Sequence, residues 1–260
     1  TFDHLRNLGV MPRLAITYCA TALIALVVKH KYIPHLIAAL LIIYTFILFL
    51  GNGFVYGEEN ILSIVDRAIL GINHMYNDHG IDPEGILSTI PAIAHVLLGF
   101  YIGKLLVEQK DIHTKVEYLF IIGTVLTFSG FLLSYGCPIN KKIWSPTFVL
   151  VTCGLGSSLL ALLIWIIDIK GYKKWSLFFE SFGVNPLFIY VMASLLSVCF
   201  GSILFPYGEG SISIHRFMYS KVLCSFLSEL NASLAYALLF VTLNWLIGYQ
   251  LYKRKIYIKI

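Results

Sequence analysis

The chain has 260 residues, 58% hydrophobic and 13% charged, with a mean hydropathy of +0.81. Soluble domains carry about 25% charged residues, so this composition excludes a fold that covers itself in water. The formal net charge of +5 does not mark a nucleic-acid binder, because Lys and Arg are scattered at the ends of apolar stretches and form no basic face.

A bilayer core about 30 Å thick takes about 20 apolar residues at about 1.5 Å each. Seven stretches meet that length: 10–28, 33–50, 86–107, 118–135, 147–167, 181–204 and 230–252. Lipid offers no partner to a bare backbone N–H or C=O, so each crossing is helical. The predicted fold is all-α: a polytopic membrane helix bundle forming a single transmembrane domain over 1–260, with lipid as its main neighbour.

The chain opens "TFDHLRNLGVMPRLAITY", without an initiator Met or a signal-peptide pattern. It reads as a start part-way through a longer protein. Arg13 stands in the first crossing, where a guanidinium must pair or reach the interface.

Between the second and third crossings lies a loop, 51–85, that holds Glu58, Glu59, Asp66, Asp78, Asp82 and Glu84 against Arg67, together with His74 and His79. Two readings of its end stand side by side. Asp82 could be an N-cap with Pro83 at the first helical position and Glu84 in the first turn, or these carboxylates could meet a substrate. Asp66 could equally pair with Arg67. In the third crossing Pro91 predicts a kink, and His95 sits mid-helix, either hydrogen-bonded to a neighbouring helix or lining a cavity.

The loop "CPINKKIWSP" brings Asn140, Lys141 and Trp144 together, and Asn185-Pro186 predicts a break in the sixth crossing. Lys29, Lys31, Lys104, Lys110, Lys115, Lys170, Lys173, Lys174, Lys253, Arg254, Lys255 and Lys259 then share one side of the membrane. The positive-inside rule makes that side cytoplasmic, with the N-terminal end and the acidic 51–85 loop outside. Lys141 and Lys142 fall against the rule. The five cysteines show no metal-ligand spacing, and neither a metal site nor a phosphate loop is expected.

Several blocks in order, "GVMPRLAITY", "VDRAILGINHMY", "IDPEGILSTI", "LGFYIGKLL", "PINKKIWSPTFV", "FGVNPLFIYV" and "YKRKIYIKI", resemble the heparan-alpha-glucosaminide N-acetyltransferase-like family of transmembrane acyltransferases and its bacterial relatives. The resemblance implies transfer of an acetyl group from cytosolic acetyl-CoA to an amino sugar or glycan on the far side of a bacterial inner membrane. It also implies that the chain is the C-terminal portion of a larger acyltransferase membrane domain, and it gives Asn140, Lys141 and Trp144 their weight as candidates for binding substrate. Asp66, Arg67, His74, Asp82 and Glu84 join them because anionic and polar groups on the acceptor side suit a cationic amino sugar. Arg13, His95 and Asn185 are candidates for lining a cavity because polar groups within a membrane are costly. The resemblance also leaves room for a homodimer.

The family's early histidine block is absent, since His4 lacks its context, and Leu8 and Pro12 replace a proline and a glutamine. These 260 residues alone are therefore expected to show no turnover. A glycan or lipid transporter (or flippase) and a non-catalytic membrane subunit are the alternatives.

Overall fold

The computed structural model describes residues 5–76, 80–208 and 210–258, so His4, Asp78 and His79 lie outside the described residues. These residues group into two compact units, Thr1–Lys170 and Gly171–Ile260.

The first unit contains α1 (Val10–Val27), α2 (Ile33–Leu50), α3 (Ile61–Leu70), α4 (Thr89–Glu108), α5 (Ile112–Leu133) and α6 (Pro146–Ile164). The last continues through a wider π turn over Trp165–Ile169. Local chemistry sets the helix starts. Pro34 sits in the first turn of α2, where its missing N–H has no intrahelical partner to lose. The side chains of Asn60, Asp111 and Ser145 cap α3, α5 and α6 by accepting from the N–H groups of Leu62, Thr114 and Phe148.

Among the described residues six helices are long and apolar enough to cross a membrane, or seven if a bent pair in the second unit is one crossing. Leu26, Leu50 and Phe128 remain 84%, 88% and 72% exposed. Side chains of this kind face lipid without cost, where water would penalise them. The chain is an integral membrane protein with the expected all-α architecture.

Two clusters organise the unit. Ile33, Ile37 and Leu41 of α2 pack with Ala94, Leu97, Leu98 and Ile102 of α4, Leu119 of α5, and Val149 and Ala161 of α6. In α5 and α6 small residues let the backbones touch. A Cβ on Gly154 would stand 2.6 Å from the Thr127 nitrogen, and one on Gly123 would stand 2.8 Å from the Gly154 carbonyl oxygen. The second cluster joins Tyr44, Leu48, Leu62, Ile81 and Ile143. The Tyr44 hydroxyl donates to the Ile143 carbonyl, which ties α2 to the α5–α6 connection and so fixes the loop carrying Lys141 and Trp144.

Two local expectations are corrected. Helix α4 begins at Thr89, with Ser88 as its N-cap and no side-chain capping bond, so Asp82 caps no helix and Pro83 opens none. Residues 82–88 form turns instead. Pro91 consequently falls in the first turn of α4, where N–H groups lack partners anyway, and the helix runs unbroken from Thr89 to Glu108. The 51–85 stretch is also more ordered than a loop, because it contains α3.

The second unit holds α7 (Ser176–Gly183), α8 (Pro186–Ser202), a hairpin of β1 (Leu204–Tyr207) with β2 (Gly210–Ser213), the single turn α9 (Ile214–Arg216) and α10 (Glu229–Lys253). The hairpin is antiparallel with Leu204 opposite Ser213. At Asn185-Pro186 the chain turns by 86° between α7 and α8. This is the predicted break, and the residue before proline disfavours helix.

Candidate functional site

Arg13 is buried on α1, at 5% exposure. Its Nη1 donates to the Pro83 carbonyl at 2.6 Å and its Nη2 to the Ser88 carbonyl. The guanidinium lies 4.2 Å from the centroid of the Trp144 ring. It therefore pairs with carbonyl oxygens and an aromatic face rather than reaching the interface. Those two contacts also tie the turns of 82–88 to α1.

Trp144 has a backbone φ of 52°, a left-handed conformation that costs a bulky residue about 1–3 kcal/mol. The turn is held by the Trp144 N–H donating to the Lys141 carbonyl and the Ser145 N–H donating to the Asn140 carbonyl, at 3.1 and 3.0 Å. The indole packs edge-on to Phe148 at 5.2 Å, with the His95 ring 6.0 Å away. The Trp144 Nε1 and His95 Nδ1 are buried without a partner among the described residues.

Around these groups lies a cavity of about 350 Å³. Val10, Arg13, Leu14 and Thr17 line it from α1, and Ala92, His95 and Val96 from α4. Glu84 comes from the turn before α4, and Lys141 and Trp144 from the α5–α6 connection. Five of the polar candidates thus meet in one place.

The remaining candidates are placed otherwise. Asp82 is fully buried and does not line the cavity. It accepts from the Tyr76 and Glu84 N–H groups at 2.9 and 3.0 Å and pairs with Arg6, which also bridges to Glu84. The Arg6 guanidinium is stacked 5.0 Å over Tyr76. Burial opposes its charge, yet the hydrogen bonds to Asp82 and Glu84 raise its pKa on balance.

Asp66 does not pair with Arg67, whose partner is Glu58 at 2.9 Å. Asp66 is fully buried, and its Oδ1 accepts from the Ile86 N–H at 2.8 Å. Its Oδ2 has no partner among the described residues and presses on Gly85, where a Cβ would stand 1.9 Å away. Burial above all pushes its pKa up to about 6, and the charge of Asp82 adds to this. The Ile86 N–H and Arg13 act the other way.

His74 Nδ1 bonds the Leu5 carbonyl at 2.8 Å and so fastens the N-terminal segment to the loop. Asn140 joins its own turn to the segment after α2: its Oδ1 accepts from the Lys142 N–H and its Nδ2 donates to the Tyr56 hydroxyl. Asn185, in the second unit, is buried and committed to backbone groups. Its amide donates to the Ile256 carbonyl at 2.9 Å and accepts from the Ile258 N–H at 2.7 Å, holding the C-terminal segment.

Sequence reasoning missed Arg6, which bridges the carboxylates at 82 and 84, and Tyr44, which anchors the Trp144 loop. The signal for Arg6 was a cation ahead of an apolar run, but its partners lie 76 and 78 residues along the chain.

No family model matches the chain. Over 149 residues it is 32% identical to the heparan-alpha-glucosaminide N-acetyltransferase of Mus musculus and 31% identical to that of Homo sapiens. Each match takes in 49% of this chain and 22% of the relative, so the chain spans well under half the length of the curated relatives it matches. The similarity is to N-acetyltransferases over part of their length and assigns the chain to none of them.

Proposed function

We propose that the cavity between α1, α4 and the Trp144 turn receives the amine acceptor of a membrane acyltransferase. The observation that carries this reading is the meeting of Arg13, Glu84, His95, Lys141 and Trp144 around one space, in a chain similar to N-acetyltransferases. In acyl transfer to an amine, a C–N bond forms, the acyl donor's leaving group departs and the nitrogen gives up a proton. Such a site needs groups that place the acceptor and take that proton.

The lining supplies these. Glu84 holds Arg6 through one carboxylate oxygen and offers the other to an ammonium or hydroxyl group, Trp144 offers an apolar face to a sugar ring, Lys141 meets ring oxygens, and His95 takes the proton. Arg13 is already committed to the Pro83 and Ser88 carbonyls, so its role is to hold the walls.

A volume of about 350 Å³ is at the small end of ligand pockets, about 300–1,000 Å³. It suits one amino-sugar ring and does not fit a whole nucleotide thioester. If acetyl-CoA is the donor, its nucleotide end binds elsewhere. In this reading the acidic 51–85 segment and the cavity mouth face outward from the cytoplasmic membrane, and the C-terminus faces the cytoplasm.

The test uses full-length natural protein in membranes, supplied with labelled acetyl-CoA and glucosamine. Transfer should fall at least about tenfold in Glu84→Gln and Trp144→Ala, in line with the loss of about 1.4 kcal/mol or more of transition-state stabilisation. Label transfer unaffected by either change would reject the assignment.

A further inference from the structure

Three anchors hold the turn that brings Glu84 to the cavity. Arg6 grips the side chains of Asp82 and Glu84. Arg13 grips the carbonyls of Pro83 and Ser88. Asp66, reaching across from α3, accepts from the Ile86 N–H. The turn is thus held at its side chains, its carbonyls and its amide by three residues distant in the chain.

The Asp66 anchor differs from the others in two respects. A guanidinium keeps its charge throughout the pH range of interest, whereas a carboxyl does not. Moreover, the Asp66 carboxyl is fully buried with one oxygen partnered and one not, and the unpartnered Oδ2 occupies the space where any residue but glycine at 85 would put its Cβ. A proton arriving on Asp66 has to be accommodated against Gly85, next to Glu84. A neutral carboxyl is also a weaker acceptor for the Ile86 N–H than a carboxylate.

We infer that Asp66 is a proton-linked positioning residue: through Gly85 and Ile86 it sets where Glu84 stands in the cavity, without touching the ligand itself. The inference rests on the reading of that cavity as the acceptor site, and it adds a regulator to it. Asp82 faces Asp66 from the turn, Arg13 from α1 and Tyr44 from α2. Asp82 favours the proton and Arg13 opposes it. Because Arg13 also carries the Trp144 ring on its guanidinium, a shift of the turn reaches the opposite wall of the cavity.

The experiment follows Trp144 emission in full-length protein carrying Trp165→Phe, Trp175→Phe and Trp245→Phe, with any tryptophan outside these 260 residues also replaced by Phe, titrated from about pH 4.5 to 8 across the carboxyl and imidazole ranges. The expected result is a step centred near pH 6 that is lost in Asp66→Asn and kept in His95→Gln, which removes the imidazole beside the indole. A step that persists in Asp66→Asn, or that vanishes in His95→Gln alone, overturns the inference. Should Asp66→Asn fail to fold, infrared spectroscopy of the unsubstituted protein decides. A buried protonated-carboxyl band must disappear as the pH rises through about 6, and its absence overturns the inference equally. Glucosamine binding, measured alongside, separates the two ideas. No binding at any pH removes the acceptor reading while leaving the Trp144 step intact.

Discussion

The Arg13 guanidinium lies 4.2 Å from the centroid of the Trp144 ring, although the two residues belong to different ends of the first unit. One guanidinium thereby joins α1, the turn before α4 and the α5–α6 connection, which are the three walls of the cavity.

Replacing Arg13 by Lys keeps the charge and removes the planar fork. Each hydrogen bond to a charged group contributes about 1.5–3 kcal/mol, and a desolvated cation–π contact about 2 kcal/mol. Arg13→Lys should lower stability by about 3 kcal/mol, read as a fall in the thermal midpoint of protein in detergent. An unchanged midpoint would show that Arg13 is not what holds the walls together.

Gly85→Ala should destabilise by about 1–3 kcal/mol, the range for overpacking, because the new Cβ would meet Asp66 Oδ2 at 1.9 Å. In the double variant Gly85→Ala with Asp66→Gly, the clash is gone. The two effects should couple by roughly 0.5–3 kcal/mol, as expected for residues in contact. Additive effects in a double-mutant cycle would contradict the contact.

Stability should also depend on pH through Asp66. Its folded-state pKa of about 6 lies above the unfolded value of about 3.9, so the folded protein holds the proton more tightly. The contribution is fully present below about pH 3.9 and is lost as pH rises through about 6. The wild type should therefore lose stability on the order of 2 kcal/mol relative to Asp66→Asn between those limits. Unfolding midpoints of the two proteins that run parallel from pH 4 to 7 would rule this out.

In the second unit, Asn185→Ala removes a donor to the Ile256 carbonyl and an acceptor for the Ile258 N–H. It leaves those backbone groups unpaired, at about 1–3 kcal/mol each where buried. The C-terminal segment after α10 should become the first site of cleavage in limited proteolysis. Equal cleavage rates in variant and wild type would mean that the amide does not secure it.

The crossings were legible in the sequence because the length and apolarity a membrane demands are local properties. The expected ranges 10–28, 33–50 and 230–252 correspond to α1, α2 and α10. The break at Asn185-Pro186 was legible for the same reason, since proline acts on its own neighbours. Pro91 misled because its effect depends on where α4 begins, and the segment before Thr89 closes short turns, Gly85 N–H to the Asp82 carbonyl and Thr89 N–H to the Ile86 carbonyl, in place of a first helical turn. The polar residues of the site were identifiable one by one, since Arg13 and His95 stand out in apolar surroundings. Their meeting with Glu84 and Trp144 was not, because it rests on contacts such as Tyr44 to Ile143 that span 99 residues. The same holds for the carboxylates: the sequence offered Asp82 and Glu84 as helix caps or substrate ligands, and only the fold brings Arg6 between them.

The most direct test of the acceptor site places one cysteine at Val96, on the cavity lining, in a full-length protein whose native cysteines are replaced by serine. An impermeant maleimide applied to intact cells should label it, and glucosamine should slow the labelling in a saturable manner. Labelling at one rate with or without the amine, or only after the cytoplasmic side is opened, would contradict an outward-facing acceptor cavity.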